Sequence, residues 1–266
     1  MATALACAAV ATDALKALWR GGGTALGAWL FLREPLVAEA ASKAGYDYVC
    51  VDMQHGLQDY ADAFAMLQAV AAGPATPMVR VPFNEPGIIG RVLDAGALAV
   101  VIPLVNTPED AAAAVAACRY PPLGTRSMGP VGAGTRHGPD YFGIANDHIV
   151  CIPMIETRQA VERVEEILAV PGIDAVYVGP ADLSISYGLP PRNDNPGDLF
   201  DAALTRVLAA CGKAGVIPGI HADPGLAGKR GDAGFRMISV GYDLGNVMNG
   251  LRRDLATSRD AIGGAP

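Results

Sequence analysis

The residues best suited to chemistry in this sequence are polar side chains that close short apolar runs. DYVCVD (47–52) ends in Asp52, with Gln54 and His55 close behind. PMVRVP (77–82) carries Arg80. HIVCIPMIE (148–156) ends in Glu156, AVYVGPAD (175–182) ends in Asp182, and VIPGIHA (216–222) leads into His221 and Asp223. Carboxylates at the ends of consecutive apolar runs can converge on one hard divalent cation, which oxygen ligands suit. By spacing alone, Glu156 and Asp182 are also compatible with rim charges or helix caps. His55 beside Asp52 suits a base or proton shuttle, or a hydrogen-bonded loop residue. An Arg within a strand needs a partner; Asp52 or an anionic substrate would serve, and so would a structural ion pair. His221 and Asp223 are either a second polar cluster or ordinary hydrogen bonding at a sheet edge.

Lysine informs by its placement. Lys16, Lys43 and Lys213 fall in helical stretches and Lys229 lies well past the run that ends at His221. No strand offers an amine for Schiff-base chemistry, so carbonyl activation would call for a metal acting as a Lewis acid. GPVGAG (129–134) has the look of a nucleotide loop, but no strand leads into it. His137, His148 and Cys151 lack zinc-site spacing.

These residues need elements to hold them. Apolar runs expected as strands cover 24–31, 47–52, 77–82, 99–105, 148–156, 175–182, 216–222 and 236–243. Helical patterns follow at 35–45, 59–73, 86–97, 107–118, 158–170, 199–215, 224–234 and from near Asp243. Asp59 and Thr107 are placed as N-caps, with Pro108 at a first helical position. Strands that read as continuous apolar runs are buried on both faces, as in a parallel sheet. Eight such strands, each followed by a helix, predict an α/β chain folded as a (β/α)8 TIM barrel. A doubly wound sheet would open on a glycine-rich phosphate loop, whereas here the first strand leads into REP. The segment 119–147, rich in Gly, Pro and Arg, is expected to be a long irregular loop, either a functional lid or a flexible segment. The ends, about 1–12 and 255–266, are expected to be loose around a single domain spanning 1–266.

Composition agrees. The chain has 266 residues, 51% hydrophobic and 18% charged, enough to bury a large core in one domain. A net charge of −7 with no basic run excludes a general affinity for nucleic acid. Cys7, Cys50, Cys118, Cys151 and Cys211 are odd in number and widely spaced, as expected of reduced thiols in a cytoplasmic protein. The Ala-rich start has no basic n-region, and no stretch is long and apolar enough to span a membrane.

Several stretches, in order, resemble one family: GAWLFLREPLVAEAASKAGYDYVCVDMQHG, VRVPFNEPGIIGRVLDAGALAVVIPLVNTPEDA, RYPPLGTR, IPMIET and VYVGPADLS. The chain is similar, from about residue 13 to near Asp254, to the HpcH/HpaI aldolases, the class II pyruvate-dependent aldolases. The resemblance implies a barrel whose last helix is swapped between subunits of a homo-oligomer, usually a hexamer. It implies a divalent ion (Mg2+, Mn2+ or Co2+) on Glu156 and Asp182, and His55 in the acid/base machinery. Asp94 of VLDAGA would be the carboxylate partner of His55, from the same or a neighbouring subunit. Arg80 would hold the oxo group and stabilise the enolate, Asp52 would orient the cluster, and the N–H groups of Ala181 and Asp182 would bind the substrate carboxylate. The implied activity is reversible cleavage of a 4-hydroxy-2-oxo acid to pyruvate and an aldehyde. The alternatives are oxaloacetate decarboxylation or another 2-oxo acid lyase, or a non-catalytic metal- or metabolite-binding protein. Two departures bear on substrate preference, Gln54 where many members have Glu and Met154 where Gln is common, and a third, Ser127 where Gly is common, bears on the 119–147 loop.

Overall fold

The computed structural model describes residues 13–263. Eight parallel strands close in sequence order into a barrel: β1 (Ala25–Leu30), β2 (Tyr48–Asp52), β3 (Thr76–Arg80), β4 (Ala99–Ile102), β5 (Val150–Ile155), β6 (Ala175–Val178), β7 (Ile217–His221) and β8 (Met237–Tyr242). Two-residue alternation along each strand divides the core into two layers. Val49, Val51, Val79, Val100, Ile155, Val176 and Val178 face the helices. Trp29, Tyr48, Cys50, Met78, Val101, Ile152, Met154, Tyr177 and Met237 fill the barrel. The helix Ala14–Arg20 plugs the lower end, where Leu15 and Trp19 join this inner cluster and Trp19 Nε1 donates to the Arg236 carbonyl at 2.9 Å.

The outer helices start where their caps dictate. Asp59 and Thr107 each close a capping box, and Glu34 and Glu85 accept from the first turns that follow Pro35 and Pro86. The expected eighth-unit helix runs Asp243–Ala261, past residue 255, where a loose end was expected. The expected loose stretch 1–12, with Cys7, lies outside the described residues. Cys50, Cys118, Cys151 and Cys211 are buried free thiols. Among the described residues no helix is long and apolar enough to cross a membrane.

Two sequence expectations are corrected. β4 stops at Ile102 rather than 105, because Pro103 follows and Leu104 turns to a φ of 55°. The segment 119–147 is not an irregular loop: it holds the helices Val131–His137 and Tyr141–His148, with a small core of Tyr120, Ala133, Tyr141 and Ala145. Glycine hid the first helix, since Gly is among the weakest helix formers. It is retained for space, because a Cβ on Gly132 would lie 2.6 Å from the Ala95 carbonyl oxygen.

Candidate active site

The same alternation that fills the barrel delivers the polar residues. Tyr48, Cys50 and Asp52 point inward along β2, and Met78 and Arg80 along β3, so the last inward position of each strand is a charged one. Asp52 and Arg80 are register partners on neighbouring strands. They form a buried ion pair in which Arg80 Nε donates to Asp52 Oδ1 at 2.9 Å and Arg80 Nη2 donates to Asp52 Oδ2. Asp52 also accepts from Trp29 Nε1 and the Gln54 N–H, both at 2.9 Å, and from the His55 N–H at 3.2 Å. Burial pushes the Asp52 carboxyl up, but the Arg80 hydrogen bonds and charge outweigh it, with help from Trp29 and Gln54, and hold it below its ordinary value. The Arg80 guanidinium lies 5.2 Å from the Trp29 ring centre. One carboxylate thus fixes the arginine, the tryptophan and the turn that carries His55.

The β5–β6 side is different. Continuing inward from Ile152 and Met154, Glu156 lies just past β5, 2% exposed. Its Oε1 accepts one hydrogen bond, from the Leu104 N–H at 2.8 Å, a donor presented by the left-handed turn after β4. Burial raises its pKa to about 7; the Leu104 N–H and the Arg80 charge oppose this and the Asp182 charge adds to it. Gly179, just past β6, is needed for space: a Cβ there would stand 2.7 Å from Glu156 Oε2 and 3.0 Å from Met154 Cε. The helix Pro180–Ser186 then begins with no side-chain cap. Its first turn closes with the Leu183 N–H on the Gly179 carbonyl at 2.9 Å, so the N–H groups of Ala181 and Asp182 precede the first intrahelical bond.

One cavity of about 210 Å³ joins these parts. It is lined by His55, Arg80, Gly179, Ala181 and Asp182, with Trp29, Phe31, Met154, Tyr177, Asn193 and His221. His55, Arg80, Ala181 and Asp182 therefore meet as expected, with Asp52 and Glu156 buried beside them. Asp94 does not. It sits on the outer helix Pro86–Ala95, paired with Arg126 at 2.7 Å in a separate surface cavity. Among the described residues no hydrogen bond or ion pair joins Asp94 to His55, so the same-chain version of that pairing is not what the fold builds. Nor does 119–147 line the central cavity.

Sequence reasoning left Trp29, Tyr177, His221 and Asn193 of the cavity without a settled role. Trp29 reads as core, although an indole N–H inside a barrel must find an acceptor, which pointed toward a buried carboxylate. Tyr177 stacks on Trp29 at 5.1 Å and donates to Ser239 Oγ at 2.6 Å. His221, left open above, ends β7 and faces the cavity.

The donors fit a metal of one kind. Among the described residues no group of three or more His, Cys, Asp or Glu side chains could enclose an ion. Two carboxylates, one buried with its charge poorly compensated, match a small hard dication that keeps positions for water and substrate oxygens.

Comparison with known proteins places the chain. The family model for HpcH/HpaI aldolase/citrate lyase matches residues 25–250. A hydroxypyruvate/pyruvate aldolase of Rhizorhabdus wittichii is 36% identical over 246 residues, 92% of this chain and 98% of its own. A 4-hydroxy-2-oxovalerate aldolase of Novosphingobium aromaticivorans is 38% identical, covering 94% of this chain and 96% of its own. The crystal structure of an HpcH/HpaI aldolase/citrate lyase family protein from Burkholderia cenocepacia superposes with a TM-score of 0.84 at 38% identity, over 92% of this chain and 98% of that one. The barrel, the carboxylates at its rim and these relatives converge: this chain belongs to the HpcH/HpaI aldolase/citrate lyase family and is a lyase of the aldolase type.

Proposed function

We propose that this enzyme reversibly cleaves a 4-hydroxy-2-oxo acid into pyruvate and an aldehyde, with a divalent ion held by Glu156 and Asp182. The observation that carries the reading is the single cavity in which His55, Arg80 and the open N–H groups of residues 181–182 meet beside a buried, under-compensated Glu156. Bound there, the ion (Mg2+, Mn2+ or Co2+) supplies Lewis-acid polarisation of the 2-oxo group.

The chain's own residues do the rest. The Ala181 and Asp182 N–H groups receive the substrate carboxylate at a helix start, where backbone donors and dipole favour an anion. Arg80, immobilised by Asp52, directs its positive charge at the oxo oxygen. His55 takes the C4 hydroxyl proton, the C4–O electrons become the aldehyde carbonyl, and the C3–C4 bond pair passes into the enolate of pyruvate. Arg80 stabilises the enolate charge as a preorganised donor. A proton returned to C3 then completes pyruvate.

The working unit in this reading is a homo-oligomer, the hexamer of the family. Along the terminal helix Leu244, Val247, Met248, Leu251 and Leu255 are all exposed; their spacing forms one apolar stripe, as a helix swapped onto a neighbour requires. A neighbour would also bring its own Asp94 to His55. Sedimentation analysis tests the assembly: a monomer at micromolar concentration would remove that role for Asp94.

The direct test of the chemistry is proton NMR of pyruvate in D2O with the purified protein. The methyl signal is expected to decay with added Mg2+ or Mn2+ and to persist with EDTA. No exchange with any divalent ion, from folded protein, would defeat the pyruvate reading.

A further inference from the structure

The cavity holds two polar side chains that this chemistry leaves idle. The barrel order places the enolate machinery along β2, β3, β5 and β6. His221 and Asn193 come from the remaining sector: β7 supplies the first, and the loop following the helix Pro180–Ser186 supplies the second. The other lining there is Trp29 on β1 and Phe31 just past its end. Polar groups in an aromatic wall are costly unless something polar meets them.

The His221 ring has a defined state. Its Nδ1 lies 3.3 Å from the Tyr177 hydroxyl, whose own hydrogen goes to Ser239 Oγ. The Tyr177 oxygen can therefore only accept from the imidazole, so Nδ1 carries the proton and Nε2 is left as an acceptor. Burial pushes the imidazole down to about 4, the Arg80 charge adding to it and the Asp223 and Asp52 charges opposing. The ring is neutral at neutral pH, with one lone pair to offer. Asn193 is fixed from behind. Buried Arg230 donates to its carbonyl at 2.7 Å and pairs with Asp194 at 3.0 Å, and Lys229 pairs with Asp194 at 2.8 Å. Asn195 ties the same loop to Ser184 Oγ at 2.7 Å and to the Pro190 carbonyl at 2.8 Å.

We propose that His221 and Asn193 form a hydroxyl-reading wall that sets aldehyde specificity, with His221 Nε2 accepting from a hydroxyl beside the aldehyde carbon. The aldehyde is then a short hydroxylated one, of the glycolaldehyde or glyceraldehyde class, rather than a plain alkyl aldehyde. The proposal rests on the pyruvate-aldolase reading and specifies its second substrate.

The test compares matched aldehydes, glycolaldehyde against acetaldehyde and glyceraldehyde against propanal, in condensation with pyruvate. The readout is the ratio of kcat/KM for the hydroxylated over the deoxy partner in a variant, relative to the same ratio in the unaltered enzyme. This cancels both the aldehydes' intrinsic reactivity and the amount of active protein. Losing a hydrogen-bond partner for a substrate hydroxyl should lower that ratio about tenfold in His221→Phe. A smaller fall is expected in Asn193→Ala, and partial recovery in His221→Gln, which restores an acceptor. An unchanged ratio in both His221→Phe and Asn193→Ala, from enzyme that exchanges pyruvate methyl protons, overturns the wall. Should His221→Phe not fold, an unchanged ratio in His221→Leu, which also removes the acceptor, together with an unchanged ratio in Asn193→Ala does so. Absence of pyruvate exchange in the unaltered enzyme strikes instead at the pyruvate reading.

Discussion

The two buried acids of the barrel mouth, Asp52 and Glu156, sit in electrostatically opposite corners. At the β2–β3 corner, Asp52 is 0% exposed and accepts from Arg80, Trp29 and two backbone N–H groups. Its charge is matched and its carboxyl is held low. At the β5–β6 corner, Glu156 has one backbone donor and a second carboxylate for a neighbour, and its pKa is raised to about 7. The first corner is finished by the chain itself; the second is short of positive charge. A barrel rim can thus hold one acid as rigid scaffolding and another in readiness for a cation, with the donors around each acid making the difference.

Removing one charge from each corner should move stability in opposite directions. Arg80→Ala leaves Asp52 buried without its cation and is expected to destabilise the fold by about 3–5 kcal/mol. Glu156→Gln keeps an acceptor for the Leu104 N–H, removes the uncompensated charge, and should stabilise the metal-free protein by about 2 kcal/mol at pH 7. Urea denaturation in EDTA checks both. In each variant kcat should fall about 100–1000-fold, the cost of one preorganised electrostatic group. Destabilisation by Glu156→Gln would break the contrast.

The next effect is a pH signature hidden by cancellation. Glu156 keeps its proton longer folded than unfolded. Between its ordinary value of 4.5 and about 7 the folded state binds more protons, and stability falls as pH rises. His221 gives up its proton early. Between about 4 and its ordinary 6.5 the unfolded state binds more protons, and stability rises with pH. Each contributes on the order of 2–3 kcal/mol, so across pH 4.5–6.5 the two largely offset. His221→Phe should unmask a loss of stability with rising pH over that window, and Glu156→Gln a gain. Parallel profiles in the two variants would show that these groups are not the ones titrating.

How much of this was legible in sequence follows from what alternation encodes. Asp52, Arg80 and Glu156 could be read because each lies on an inward position of a wholly apolar run, where a charge has no reason to be unless it is paired or in use. His221 occupies an equivalent place, but a lone strand-end histidine has a bland reading, and only its cavity position decides against it. Trp29 and Tyr177 look like core because they are core; their polar tips alone belong to the site. Asn193 sits in a proline-rich loop with no period, and its place is set by Arg230, 37 residues away in sequence. Asp94 stayed open between the same and a neighbouring subunit because a motif gives a residue without giving the chain that uses it. The helix Val131–His137 was missed because its glycines, among them Gly132 with its close packing, suppress local helix propensity.

Gly179 sharpens the contrast at the β5–β6 corner more finely. Gly179→Ala would press a methyl against Glu156 Oε2 while leaving the β2–β3 corner alone. Divalent-ion affinity, read by calorimetry, should weaken about tenfold if Glu156 holds the ion as proposed, as changes to the groups that orient a metal's ligands typically cost about 10–100-fold. Unchanged affinity would mean that the Glu156 carboxylate can move aside without loss.

The smallest effect expected is at the turn that serves Glu156. Leu104 holds a φ of 55°, a conformation that costs a non-glycine residue about 1–2 kcal/mol, and the residue is 49% exposed, so packing returns little of that. The strain has a use, since it turns the Leu104 N–H onto Glu156 Oε1. Leu104→Gly relieves it and keeps the N–H, while glycine's greater freedom in the unfolded chain takes back about 0.5–1 kcal/mol. A net gain of about 0.5 kcal/mol is expected in thermal or urea unfolding, with kcat within about twofold of the unaltered enzyme if the N–H still reaches the carboxylate. Lost activity alongside gained stability would mean that the leucine side chain, not the backbone, is what the β5–β6 corner needs from this turn.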